Sequence, residues 1–168
     1  MVLVTFILLL CVVSLVRKAD AQPKFTSFDF PGAVNTQATG ITPSGNIVGR
    51  YTSPDGVQHG FLVSGGKFRS IDFPHSFSTD VTWINPRGQI VGDYIASDGK
   101  QHGFLLSGGK FTTIDYPNAQ STAAFGIGAT GEIVGIQGDS AGTLHGFLLR
   151  AGRFSSIDFQ VRQELFPR

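Results

Sequence analysis

The chain has 168 residues, a formal charge of +1 and 15% charged side chains, with 22 glycines and one cysteine. So even a balance offers no basic footprint for nucleic acid and none for an anionic membrane surface. Charge-driven partners are therefore excluded, and the lone Cys11 leaves no disulfide to form.

The first element is an apolar run over residues 2–16, followed by Arg17 and Lys18 and then Ala19-Asp20-Ala21. Fifteen residues are too few for a comfortable membrane span, and small residues at 19 and 21 suit signal peptidase, so residues 1–21 are expected to be a cleaved signal. The basic pair lies after the apolar run, where such a signal ordinarily has it before. Bulky Leu9 and Leu10 argue against lipidation of Cys11. The expected product is secreted or extracellular, in the periplasm or on the cell surface, and begins at Gln22 with no membrane contact of its own.

From there the chain repeats itself, and repeats decide the fold before local patterns do. Phe25, Phe68, Phe111 and Phe154 recur every 43 residues, and each opens a segment ending in an aspartate flanked by apolar residues: Asp29, Asp72, Asp115 and Asp158. In the same register come Ile47-Val48-Gly49, Ile90-Val91-Gly92 and Ile133-Val134-Gly135. His59-Gly60-Phe61, His102-Gly103-Phe104 and His145-Gly146-Phe147 follow, with no insertion or deletion. The repeat domain spans 22–159, with units at 25–67, 68–110 and 111–153 and a further strand at 154–159. The tail, 160–168, abandons the pattern.

Each unit reads as four short strands. In the second they are expected at 79–85, 89–95, 101–107 and 110–116, separated by Asn85-Pro86-Arg87-Gly88, Ser97-Asp98-Gly99 and Ser107-Gly108-Gly109. An additional strand is expected at 25–30. Nothing after residue 21 keeps helical spacing over three turns. Consecutive apolar residues, as in Phe104-Leu105-Leu106, indicate strands covered on both faces. Four-stranded units of this length covered on both faces predict an all-β fold of propeller-like blades, three of them, in an open or incomplete propeller. The alternative is a β-trefoil, also twelve strands in three units. Gly92 and Gly103 are expected where backbone or an aromatic such as Phe104 or Tyr94 comes close.

The phrases Ile-Asp-Phe-Pro, Gly-Gln-Ile-Val-Gly and His-Gly-Phe-Leu resemble the HAF repeat of exported bacterial proteins, over nearly all of residues 25–159. Here glycine (Gly60, Gly103, Gly146) stands at the motif's middle position. The resemblance implies export and a repeat architecture, and it brings no catalytic residues.

Two local patterns suggest enzymes and fail on context. Gly126-Ile127-Gly128-Ala129-Thr130-Gly131 fits a dinucleotide fingerprint, but a strand follows it in place of the helix that would hold a pyrophosphate. Gly138-Asp139-Ser140-Ala141-Gly142 fits a nucleophile elbow, but it falls in a hairpin loop. His59, His102 and His145 with the four aspartates are read as structural ties, since a fold needs one bond in every unit and a function usually needs one site. Residues that break the repeat point better to a ligand. Trp83 replaces Gly40 and Gly126, and His75 replaces Gly32 and Asn118; Arg50 and Asp93 share a slot with Ile136. Trp83 and His75 are the candidate ligand contacts. No catalytic residue, metal or cofactor site is expected. The reading is a binding or scaffolding module for carbohydrate or protein, with homo-oligomerisation through edge strands open to it. The runner-up is a cell-envelope enzyme with a pocket on the propeller axis.

Overall fold

A computed structural model describes residues 25–158; the expected signal, Cys11 and the tail lie outside them. Twelve strands follow one another: β1 Asn35–Ile41, β2 Ile47–Thr52, β3 Gln58–Ser64, β4 Lys67–Ile71, β5 Ser78–Ile84, β6 Ile90–Ile95, β7 Gln101–Ser107, β8 Lys110–Ile114, β9 Ser121–Ile127, β10 Ile133–Gly138, β11 Leu144–Arg150 and β12 Arg153–Ser156. They form three antiparallel sheets in the orders β1-β2-β3-β4, β5-β6-β7-β8 and β9-β10-β11-β12. Among the described residues there is no helix. Every strand pairs within a sheet of four consecutive strands, which sets the trefoil aside in favour of blades stacked face to face.

The turns behave as their residues require. Asn85 is buried, its Oδ1 accepts hydrogen bonds from the backbone N–H of Arg87 and of Gln89 at 3.0 Å each, and Gly88 takes a φ of +76°. The observed sheets begin one strand after the sequence units do, because Phe68, Phe111 and Phe154 sit in the last strand of a sheet. Residues 25–30 are a correction: they form no strand. Phe28 and Phe30 pack instead against Phe61 and Phe68.

The innermost strands carry the joints. β5 packs on β1, β2 and β3, and β9 packs on β5, β6 and β7. Each inner strand has a one-residue bulge, at Thr39, Thr82 and Phe125, opposite Gly49, Gly92 and Gly135. A side chain on any of these glycines would overlap the carbonyl oxygen of Gln37, Asp80 or Ala123. The expectation for Gly92 holds, with the Asp80 backbone and the Phe104 ring as its near neighbours. The bulge turns Thr39 and Thr82 toward the next sheet, where their hydroxyls donate to Val81 O at 2.8 Å and Ala124 O at 2.7 Å. Phe61, Phe104 and Phe147 are fully buried. One core joins Val48 and Ile71 to Val81, Ile84, Ile90 and Phe104; the other joins Val91 and Ile114 to Ala124, Ile127, Ile133 and Phe147.

Candidate functional site

The histidines and aspartates of the repeat meet within each unit. His59 opens β3 and Asp72 follows β4, and Nδ1 lies 2.7 Å from Oδ1; His102 and Asp115 repeat this at 2.7 Å, and His145 and Asp158 at 3.2 Å. Each pair ties neighbouring outer strands, so the histidines do not converge on an axis. Asp29, the first of the four aspartates, is exposed. Tyr51 stacks on both Phe30 and His59, and Tyr94 on both Phe73 and His102.

The surroundings of the pairs differ. Nε2 of His59 is 3.2 Å from Ser53 Oγ, so both ring nitrogens are engaged. Ala96 takes the place of Ser53 in the second unit, and among the described residues the one side-chain hydrogen bond of His102 is to Asp115. In the third unit Gln137 replaces the tyrosine and Asp139 replaces Ser53, and His145 lies between Asp158 and Asp139, the latter 3.4 Å from Nε2. Hydrogen bonding to Asp139 and then to Asp158 raises the imidazole above its ordinary value. Asp139, not Ser140, is therefore the partner of His145, and the elbow pattern assembles no nucleophile.

Two equivalent grooves lie beside these pairs. One, of about 260 Å³, is lined by Gln58, His59, Asp72, His75, Phe77 and Ser78 among others. The other, of about 250 Å³, is lined by Lys100, Gln101, His102, Asp115, Asn118 and Gln120 among others. Asp72 and Asp115 are half exposed there. His75 and Asn118 hold φ values of +62° and +64°, in the slot where Gly32 has +78°. A histidine in the left-handed region is uncommon and needs its surroundings to hold it. Phe77, 63% exposed, was missed by the sequence reading. It also breaks the repeat, standing where Val34 and Gln120 stand, so the signal was available.

Trp83 lies elsewhere. It is 43% exposed and lines a groove of about 330 Å³ with Phe28, Ala38, Gly40, Ile41 and Ile47. The two candidate ligand contacts thus line different grooves. A side chain at Gly40 would come within 3.4 Å of the backbone of Trp83 and Ile84, so the first two sheets run close together there.

A third cluster is unique to the first joint. Arg50 on β2 bonds Asp80 on β5 through Nη1, and its Nε donates to Gln37 at 2.7 Å. Asp93 pairs with Asp80 across the β5–β6 ladder and accepts from Gln101 at 2.8 Å. Burial pushes the Asp93 carboxyl up to about 6, with the Asp80 charge adding to it. Burial also raises Asp80, against the opposing pull of Arg50, and Asp80 Oδ1 is buried with no hydrogen-bond partner among the described residues. None of these three residues lines the grooves described above.

No family model matches the chain, and no curated protein matches it. Among solved structures the chain is similar to a fucose lectin from Kordia zhangzhouensis in complex with methyl-fucoside. That likeness has a TM-score of 0.47 and 12% identity, and covers 76% of this chain and 100% of the lectin chain.

Proposed function

We propose that the protein is an exported, non-catalytic binding module that takes a saccharide in the grooves beside the His–Asp pairs. The observation that carries this reading is the recurrence of one groove at successive units, each with a half-exposed carboxylate, a histidine and at least one amide side chain on its walls. Vicinal hydroxyls of a neutral sugar both donate and accept, and this set of groups offers both roles. In the first groove the exposed ring of Phe77 adds an apolar surface for a sugar's C–H face. Repetition supports weak sites used together, where affinity comes from several contacts on one polymer. The envelope-enzyme reading needs one convergent set of titratable groups in a cleft. The group that comes nearest to it, Arg50 with Asp80 and Asp93, sits in a sheet joint.

The test is calorimetric titration of the purified chain with a panel of neutral oligosaccharides, alongside F77A, D115N and the double variant. Each single change should weaken binding of a responsive sugar by about tenfold at one groove, about 1.4 kcal/mol, and the double variant should weaken it as much at both. A panel without response, or a double variant that binds like the parent with an unchanged melting temperature, would overturn the proposal.

A further inference from the structure

The two ends of the stack of sheets differ from its internal joints. Inside, Val48 is fully buried in one core with Ile84 and Ile90 of the next sheet, and Val91 in the other with Ile127 and Ile133. At the ends these partners are parted. Val134, the third copy of the valine, is 42% exposed, and Ile41, the first copy of the isoleucine, is 63% exposed. The outer half of the first sheet's free face is already covered, by Phe28 and Phe30 in the slots that Ile71 and Phe73 fill for the second sheet. What stays open is the inner half, around Ala38 and Ile41.

The free face of the third sheet is not made like a cap. Terminal units of repeat proteins ordinarily carry a polar outer face. Here the slots that hold Thr82, Asp93 and Gln101 in the second sheet hold Phe125, Ile136 and Leu144, and Phe125 and Leu144 are exposed. The exchange makes this face more apolar than its two internal equivalents, which are covered. A face of that composition calls for a cover, and the internal joints give the shape of the cover: the inner strand of another such sheet.

We propose that the free face of the third sheet seats the open inner face of the first sheet of a second copy, Val134 against Ile41, so that two chains close a ring of six sheets. The contact is heterologous, head to tail, and closure after two copies is what keeps it from running on into a filament. The joint uses the inner halves only, because Phe28 already holds the slot into which Ile157 would otherwise fit. Ile157 is 55% exposed. The contact is made by sheet faces; the outer edge strands take no part.

Sedimentation equilibrium of the purified chain, over about 1 to 100 µM, should give twice the chain mass. I41E and V134E should each be monomeric, with an unchanged circular dichroism spectrum and melting temperatures that match each other and do not depend on concentration, since both positions are exposed in the single chain. Mixing the two variants should restore a two-chain species, because Ile41 of one then meets Val134 of the other at one sound joint. A monomeric parent chain, association that survives both substitutions, or no recovery on mixing would overturn the proposal. So would a V134E chain that melts clearly below the I41E chain, because Val134 would then be covered within its own chain.

Discussion

Asp93 stands where the third unit has Ile136, and it shares a ladder position with Asp80, so two carboxyls face each other beside a single arginine. Its carboxyl titrates near 6 in the folded chain, against 3.8 for the free group, so the folded state holds the proton more tightly than the unfolded one. Stability therefore falls as pH rises between about 4 and 6 and stays lower above that range. D93N removes this loss and should stabilise the protein by about 2 kcal/mol at neutral pH and by little below about pH 4. Urea unfolding at the two pH values checks it. His145 acts with the same sign by another route. Its imidazole is raised by Asp139 and Asp158, so its contribution is present below the unfolded value of 6.5 and is lost as pH rises through the higher folded one. The melting temperature of the parent relative to H145Q should accordingly drop between about pH 6 and pH 8, while H145Q itself stays flatter over that interval. His145 is the informative member of its set, because its second carboxylate, Asp139, has no equivalent in the other two units.

At the scale of the strand, one bulge residue per inner strand forms the joint. Thr82 reaches Ala124 O at 2.7 Å and Val91 O at 3.1 Å. T82V keeps the volume and removes the donor, leaving the Ala124 carbonyl short of a partner, and should cost about 1 kcal/mol in denaturant unfolding. T39V should act alike at the first joint, through Val81 O. The positions of the strands were legible in the sequence because period-43 identity and turn residues such as Asn85 and Gly88 act locally. The bulges were not, since an extra residue present in every unit leaves the repeat length unchanged and shows only in the pairing. Residues 25–30 misled for a related reason. They copy the sequence of a fourth strand, but a strand needs a neighbour to pair with, and what remains without one is the burial of Phe28 and Phe30.

At the scale of the whole molecule, the repeat made the architecture readable and concealed the sites. Positions that agree across units, such as Phe104 or Gly92, report packing. Positions that disagree report what one joint does and the next does not. Trp83 and His75 stood out in that way, yet they fall in separate grooves, because a slot number fixes a place in a sheet and says nothing of which grooves run together. Phe77 and Asp80 carry the same signal more quietly, each differing from both of its counterparts, Val34 and Gln120 for the one and Gln37 and Ala123 for the other. The exposure of Ile41 and Val134 was hidden for the opposite reason: they match their counterparts in the sequence, and only their place at the ends of the stack sets them apart.

The chain has a single tryptophan, and its backbone lies against Gly40 across the first joint. It is therefore a built-in optical probe of one seam among three sheets. Its emission follows separation of the first two sheets, whereas far-ultraviolet dichroism follows all twelve strands. Coincident transitions would mark the stack as one cooperative unit, and an earlier shift in emission would mean that it comes apart sheet by sheet, beginning at the seam that holds the buried carboxylates.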